Sequence, residues 1–404
     1  MHERRVCITG LGAVTPLDQG EGVISFWREL LNGTNAIKPL TSVNTEGFYC
    51  RVGGEISELS DFLKDDFWFG RGRCARLFAL SVQEAVFDSK IKNIPSRVGV
   101  AFGSILFEIN IGQKYLKNFI YEEKGKDVVL LRGYSPQNIP ALVAEYYGFN
   151  GPNYAINTAC SSSSDAIGLA ANEIRMGRAD VMLAGGADQI SDMLYRGFCA
   201  LGALTKDGKV RPFDVDRTGT AVSEGAGVVV LESLTHARAR NAKIYCELAG
   251  MGTNAEAYNL VKPRADGTGL CAAMKAALME SGMRPCEVDY ICAHGTGTIH
   301  NDRAEGNAIK LCFGDYAKDL KISSIKSMIG HTMGASAVLG AIATIKAMET
   351  SNISPTINHE ESEDGCGFDF VPDRSCKAVV NVGFTLSAGF GGQNSALLFR
   401  KERK

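Results

Sequence analysis

The chain has 404 residues, 45% of them hydrophobic, with 43 basic against 45 acidic side chains and a formal net charge of −2. That length exceeds one ordinary domain, and the near-neutral balance implies neither a nucleic-acid nor a membrane-surface field. Twelve cysteines without framework spacing point to a reducing, cytoplasmic setting, and no run of about 20 apolar residues offers a membrane span.

Arg4 and Arg5 before the apolar run at 6–14 imitate a signal peptide, but Gly10, Gly12 and Pro16 break the run early, and it reads as a first strand. Gly10-Leu11-Gly12-Ala13-Val14-Thr15 begins like a dinucleotide fingerprint. It lacks the third glycine, and Pro16 sits badly in the helix that should follow, so no nucleotide site is expected. Lys64, Arg71, Arg73 and Arg76 form a basic cluster before a helix predicted to begin near Cys74. A strand at 97–103 is followed by a long irregular stretch at 102–153.

In Ile156-Asn157-Thr158-Ala159-Cys160-Ser161-Ser162-Ser163-Ser164-Asp165 an apolar strand breaks into small residues and then into a helix pattern. Residues 161–176 set Ile167, Ala170, Ala171 and Ile174 on one helical face, with Gly177 as a C′ glycine. Cys160 is therefore predicted at a helix N-terminus, where unpaired N–H groups and the helix dipole favour thiolate and a pKa below the free value of about 8.5. A lone cysteine is more often plain core. Two later segments shift the balance toward a nucleophile.

Val288-Asp289-Tyr290-Ile291-Cys292-Ala293-His294-Gly295-Thr296-Gly297-Thr298 reads as a strand ending in a Gly/Thr loop with His294 at its tip. Residues 321–335 read as a short strand, a loop carrying Lys326, and a helix opened by His331. Three reactive groups at strand-to-loop junctions fit the rule that open α/β sheets bind ligands outside the carboxyl ends of strands. With no CxxC pair and no HExxH, zinc is not expected, although Cys160, His294 and His331 offer three ligand types. Gly389-Phe390-Gly391-Gly392 lacks the Lys-Ser/Thr ending of a P-loop and reads as backbone that approaches a substrate closely.

An internal near-repeat supplies the architecture. Residues 5–14 resemble 244–254, 97–103 resemble 288–295, the Cys160 helix resembles the His331 helix, 181–188 resemble 379–384, and 227–232 resemble 395–399. Two similar α/β layers packed face to face, with helices between and outside, follow from this order. We divide the chain into halves at 1–245 and 246–404; without a Pro/Ser-rich linker between them, they are expected to share a core.

Together these motifs resemble those of the elongating β-ketoacyl-acyl-carrier-protein synthases, condensing enzymes of the thiolase fold. Thr158-Ala159-Cys160-Ser161-Ser162 resembles the nucleophile motif, Ala293-His294-Gly295-Thr296-Gly297-Thr298 the first histidine motif, and Lys326-Ser327-Met328-Ile329-Gly330-His331 the lysine and second histidine motif. Val6-Cys7-Ile8-Thr9-Gly10-Leu11-Gly12, Arg211-Pro212-Phe213-Asp214, Glu224-Gly225-Ala226-Gly227 and Gly389-Phe390-Gly391-Gly392-Gln393-Asn394 extend the match over nearly the whole chain.

The resemblance implies an α/β thiolase fold, two duplicated βαβαβ-type halves in an α-β-α-β-α sandwich. It further implies that Cys160 carries an acyl chain, that His294 and His331 donate to the enolate of a decarboxylated malonyl group, and that Lys326, with Glu305 as its partner, orients the site electrostatically. Backbone N–H groups of Cys160 and Phe390 would hold the tetrahedral intermediate, and Thr296 and Thr298 would contact the extender; turn chemistry competes as their explanation. No cofactor is implied beyond the 4′-phosphopantetheine that arrives on the carrier protein. Lys64, Arg71 and Arg73 would face that acidic partner. A homodimer, or a heterodimer with a related ketosynthase or chain-length subunit, is implied as well, with 102–153 shaping the acyl tunnel and the dimer interface.

Departures from the common elongating pattern fall at Ala388, where a Phe is frequent, at Gly219-Thr220 in place of Gly-Phe, at Gly202 in place of Arg, and at residues 105–108 in place of glycines. They hint at a specialised polyketide or polyene substrate rather than a housekeeping fatty acyl chain. A thiolase would carry a second reactive cysteine where this chain reads Ser387-Ala388-Gly389-Phe390, and a non-catalytic subunit would have replaced Cys160.

Overall fold

The computed structural model describes residues 4–57, 59, 65–91, 97–121, 128–362 and 367–402. The first five strands of its ten-stranded sheet are β1 (Val6–Val14), β2 (Val98–Gly103), β3 (Asn153–Ile156), β4 (Val181–Asp188) and β5 (Gly225–Ser233). The next five are β6 (Cys246–Ala255), β7 (Tyr290–Cys292), β8 (Lys321–Ser323), β9 (Val382–Gly389) and β10 (Gln393–Arg400). They join in the order β8-β7-β9-β10-β6-β1-β5-β4-β2-β3. Read outward from the centre, β1-β5-β4-β2-β3 is repeated as β6-β10-β9-β7-β8. In each half two antiparallel pairings are followed by two parallel ones. The halves meet through a short seam, Cys7 opposite Glu247 and Ile8 opposite Cys246. The duplication read from sequence is thus the organising feature of the sheet.

Five helices complete the layers: α1 (Arg73–Ser89), α2 (Ser162–Arg175), α3 (Thr268–Ser281), α4 (Ile299–Phe313) and α5 (Ser336–Thr350). α2 and α5 pack together between the two halves. Their apolar faces, with Ile167, Ala171 and Ile174 from one and Val338, Ile342 and Ile345 from the other, share a core with Val229 and Leu397. Residues 336–345 of α5 are all buried, as a helix apolar all round must be. α1 covers β1, β5 and β4 on one outer face; α3 covers β6 and β10 on the other, and α4 packs on α3. β2 and β4 lie within the sheet and are buried along their whole lengths, which explains sequences that stay apolar up to Asp188 at the end of β4.

Gly12 belongs to this packing. A Cβ there would lie 1.9 Å from the Ser81 carbonyl oxygen, so the glycine pair of β1 admits α1 rather than a nucleotide. The long stretch after β2 contains a helix at Ile109–Tyr121 that leaves Leu116, Phe119, Ile120 and Tyr121 exposed. Two local expectations are corrected. Lys326 begins a one-turn helix, Lys326–Ile329, rather than lying in a loop. His331 does not open a helix: a 3₁₀ turn at Met333–Ala335 intervenes, with Met333 at φ 53°, and α5 starts at Ser336. Among the described residues, no helix is long and apolar enough to cross a membrane.

Candidate active site

Beyond the carboxyl ends of β3, β7, β8 and β9 lies a cavity of about 360 Å³ whose wall includes Cys160, His294, His331, Thr296, Thr298 and Phe390. Cys160 stands on a tight turn between β3 and α2. Ala159, just before it, is held at φ 53°, a left-handed conformation that a non-glycine residue adopts only when its surroundings impose it. The turn is fixed from within: Ser161 Oγ donates to the Thr158 carbonyl (2.7 Å) and Ser162 Oγ to that of Ala159 (2.6 Å). Ser161 is the N-cap residue of α2, so Cys160 precedes the helix as the sequence suggested. The Phe390 and Cys160 backbone N–H groups both act on the sulfur, favouring its thiolate. The glycine-rich segment after β9 makes this possible, since a Cβ on Gly389 would come within 3.1 Å of both Cys160 N and the Thr158 carbonyl.

The expected low thiol pKa is not found. Burial pushes Cys160 up to about 11, against the opposing pull of the Lys326 charge and the Phe390 N–H. The helix position was legible in sequence; the depth of the site was not, and desolvation of the thiolate outweighs the favourable dipole.

His294 and His331 meet edge to face with ring centroids 5.3 Å apart. One ligand atom from each, together with Cys160 Sγ, falls within a 4.8 Å cluster, all three residues being buried. Burial, reinforced by the Lys326 charge, holds both rings well below the ordinary histidine value, so they are neutral. The Met333 N–H donates to His331 Nδ1 (3.1 Å), which assigns the ring proton to Nε2. His331 Nε2 is therefore a donor rather than a metal ligand. His294 Nδ1 is buried without a partner.

Lys326 is buried and takes no part in the cavity wall. Burial lowers its pKa, while Cys292, Glu305 and Cys160 favour its charge. Among the described residues no ion pair joins it to Glu305, whose two carboxylate oxygens accept the N–H groups of His294 and Gly295 at 2.7 Å each. The expected partnership is thus a field effect rather than a contact. Burial raises Glu305 to about 7. Thr296 and Thr298 share a 2.9 Å hydroxyl hydrogen bond at the wall.

Two buried carboxylates were not singled out from sequence. Asp302 accepts the N–H groups of Thr296 (3.0 Å), Gly297 (3.1 Å) and Phe213 (2.8 Å), pinning the His294 loop. Asp188, the last residue of β4, accepts from Ser104 Oγ and the Gly334 N–H at 2.6 Å each, and from the N–H groups of Ile105 and Leu106. It thereby ties the loop after β2 to the turn after His331. Nothing but their acidity among small residues marked them in the sequence.

The basic cluster is divided by the structure. Arg73 is committed to a bidentate pair with Glu224 (2.6 and 2.7 Å) and is not available for docking, which corrects that expectation. Arg71 is exposed and lies over the Phe67 ring at 5.2 Å. Lys64 lies outside the described residues.

Comparison with known proteins agrees with this geometry. The model of the β-ketoacyl synthase N-terminal domain matches residues 3–237, and that of the C-terminal domain residues 245–360. A 3-oxoacyl-[acyl-carrier-protein] synthase 2 of Synechocystis is 35% identical, and one of Coxiella burnetii 37% identical, each alignment spanning 99% of both chains. The ishigamide ketosynthase/chain length factor structure is similar at TM-score 0.91 and 33% identity, covering 99% of this chain and 100% of that one. A type II PKS acyl-carrier protein in complex with its ketosynthase bound to the hexaketide gives 0.90 and 30%, with the same coverage. With both domain models in place along the chain and relatives aligned from end to end, this protein belongs to the β-ketoacyl synthase family.

Proposed function

We propose that the protein elongates an acyl chain by decarboxylative Claisen condensation with malonyl-acyl carrier protein, giving β-ketoacyl-carrier protein. The observation that carries this reading is one thiol and two neutral imidazoles within 4.8 Å in a single cavity. Cys160 Sγ attacks the thioester carbonyl of the incoming chain, the Cys160 and Phe390 N–H groups receive the oxyanion, and the departing thiolate takes the thiol proton. Transfer of that proton in step with attack suits a thiol that burial keeps protonated. The malonyl carboxylate then leaves as CO₂, and its bonding electrons form an enolate. His331 Nε2–H and the neutral His294 ring stabilise the enolate oxygen, because donors already fixed in a dry site need no reorganisation as charge develops. The enolate carbon attacks the acyl-Cys160 carbonyl, the C–S bond breaks, and the expelled Cys160 thiolate takes up one proton from solvent. Lys326 is a positioning residue whose charge biases both rings toward neutrality.

We further read the natural chain as a type II polyketide or polyene intermediate. Gly202, Gly219, Thr220 and Ala388 in the cavity wall, where the sequence departs from the common pattern, support this, as does similarity to the ishigamide ketosynthase/chain length factor. The names of the curated relatives favour a second reading, a fatty-acid 3-oxoacyl synthase. Retention of Cys160 argues against a non-catalytic subunit. Incubation with acyl- and malonyl-carrier protein, followed by intact-mass analysis, tests the chemistry: an acyl adduct on Cys160 and a β-ketoacyl product are expected, and the absence of both would end the proposal. Mass spectrometry of the chain captured on Cys160 in the native host separates the two pathways.

A further inference from the structure

A second cavity, of about 150 Å³, opens at the other end of the sheet, beside the seam where β1 and β6 meet. Arg400 in its wall ends β10 opposite Val382, the first residue of β9, whereas the active site lies beyond the last residue of that strand. The wall draws Arg4, Arg5 and Arg175 from the first half and Glu247, Glu280 and Arg400 from the second. Four guanidiniums, which keep their charge at any physiological pH, thus stand against two carboxylates, on a chain whose net charge is −2.

The ion pairs show where the surplus lies. Glu247 is buried and shared: Arg5 donates to it through Nε and Nη2 (2.8 and 2.7 Å), and Arg400 through the same two atoms (3.2 and 2.8 Å). One carboxylate neutralises one guanidinium, and among the described residues the remaining Nη1 of Arg5 and of Arg400 makes no hydrogen bond. Arg4 reaches only Asp180, at 3.6 Å, and Arg97 Nη2 already donates to both oxygens of that carboxylate at 2.9 Å. The other carboxylate near Arg5, Glu402, is held by Arg238 (2.6 Å). Arg175, by contrast, is matched by Glu280. The carboxyl ends of α2 and α3 reach the wall at Arg175 and Ser281 and offset about half a charge each, so a surplus of about one positive charge survives them.

We propose that this cavity is a binding site for a small phosphate-bearing anion, inorganic phosphate or diphosphate in its simplest form, held by the unpaired edges of Arg5 and Arg400 with Arg4 beside them. A planar guanidinium offers N–H groups in a fixed fork that matches the oxygens of a phosphate, which a point charge does not. Arg5 precedes β1 of the first half and Arg400 ends β10 of the second, so an anion between them ties the halves together across the seam. The site stands apart from Cys160 and does not depend on the reaction proposed for it.

Equilibrium dialysis of the full chain against radiolabelled inorganic phosphate, and separately against diphosphate, tests it. The wild-type protein should retain one anion per chain, and should still do so after alkylation of Cys160, which places the anion outside the catalytic cavity. In the Arg4→Gln/Arg5→Gln double variant Glu247 keeps Arg400 and Asp180 keeps Arg97, so no carboxylate is stranded and the fold is retained. Its affinity should nevertheless fall by about tenfold, the scale of two exposed charge contacts. Arg400→Gln, which leaves Glu247 to Arg5, should weaken binding from the opposite half, while Arg71→Gln, outside the cavity, should not. Urea unfolding in phosphate against chloride at matched ionic strength supplies a second readout. The midpoint should rise more for the wild type than for the double variant, a difference in which the general effect of the salt cancels. A wild-type chain that retains neither anion at millimolar concentration, or a double variant that retains as much as the wild type, would overturn the site.

Discussion

The strands β4 and β9 occupy equivalent places in the two halves, yet their last residues differ in kind: Asp188 in one, Gly389 in the other. Each reaches across to the other half's reactive loop. Asp188 accepts the Gly334 N–H just beyond His331, and Gly389 lies against Cys160 N and the Thr158 carbonyl. One end steadies its neighbour with a buried carboxylate, the other by having no side chain. A duplicated scaffold therefore supports an asymmetric reaction: the turn after β3 delivers a thiol, the turn after β8 an imidazole, and each is held by the opposite half.

The largest effect should come from breaking the asymmetry at its nucleophile. Cys160→Ala should reduce acyl-enzyme to an undetectable level by intact mass while the fold is retained, since a small buried side chain replaces another; adduct formation at the wild-type rate would refute the assignment. Next come the histidines. His331→Ala should leave Cys160 acylation measurable but slow CO₂ release from malonyl-carrier protein by on the order of 10²–10³, the cost of one oxyanion donor. His294→Ala should behave alike, and the double variant should fall short of additivity because both rings serve one developing charge. The two groups should also respond differently to pH. Both rings are already neutral, so CO₂ release should stay flat as pH falls from 8 to about 6.5, the ordinary histidine value. Alkylation of Cys160 by iodoacetamide should climb steadily from pH 7 to 10, because its thiol is pushed up to about 11. A plateau below pH 7 would contradict the burial argument.

A smaller but still large effect is expected at the carboxylate end of the comparison. Asp188→Ala strands the Ser104 hydroxyl and the N–H groups of Ile105, Leu106 and Gly334, all of which it satisfies. Leaving buried donors unpaired should cost about 3 kcal/mol in urea unfolding and slow decarboxylation through the displaced His331 turn.

How much of this was legible in sequence follows from the range of each interaction. Cys160, His294 and His331 could be found because each sits at the end of an apolar run in a local motif, and the two halves could be aligned because strand patterns repeat in order. Arg73 read as a surface cation because its partner, Glu224, lies 151 residues away. Asp188 and Asp302 looked like ordinary strand and helix residues because their partners are backbone N–H groups brought in by the tertiary fold. The thiol was misjudged for the same reason: a helix N-terminus is local information, whereas the burial that outweighs it comes from both halves at once. The late start of α5 reflects the left-handed Met333, a conformation that its sequence does not favour.

The smallest predicted effect tests the glycine end of the comparison. In Gly389→Ala the new Cβ would stand 3.1 Å from Cys160 N and from the Thr158 carbonyl and 3.2 Å from Ala159 Cβ, each a few tenths of an ångström too close. No atom in this set is the end of a flexible side chain, so either the glycine-rich segment or the nucleophile turn must give way. The turn is the stiffer of the two, being fixed by the Ser161 and Ser162 hydroxyls and the strained Ala159. The segment carrying Phe390 should therefore move, and with it the N–H that acts on the sulfur. Overpacking of this size should cost about 1 kcal/mol of stability. The displaced oxyanion donor should slow acylation of Cys160 several-fold, on the order of fivefold, in keeping with the steep dependence of rate on sub-ångström placement. Decarboxylation depends on His294 and His331, which the change does not touch, and should fall less. Single-turnover acylation and CO₂ release measured on the same variant decide the matter: equal losses in both steps would mean that the two halves are not supported independently.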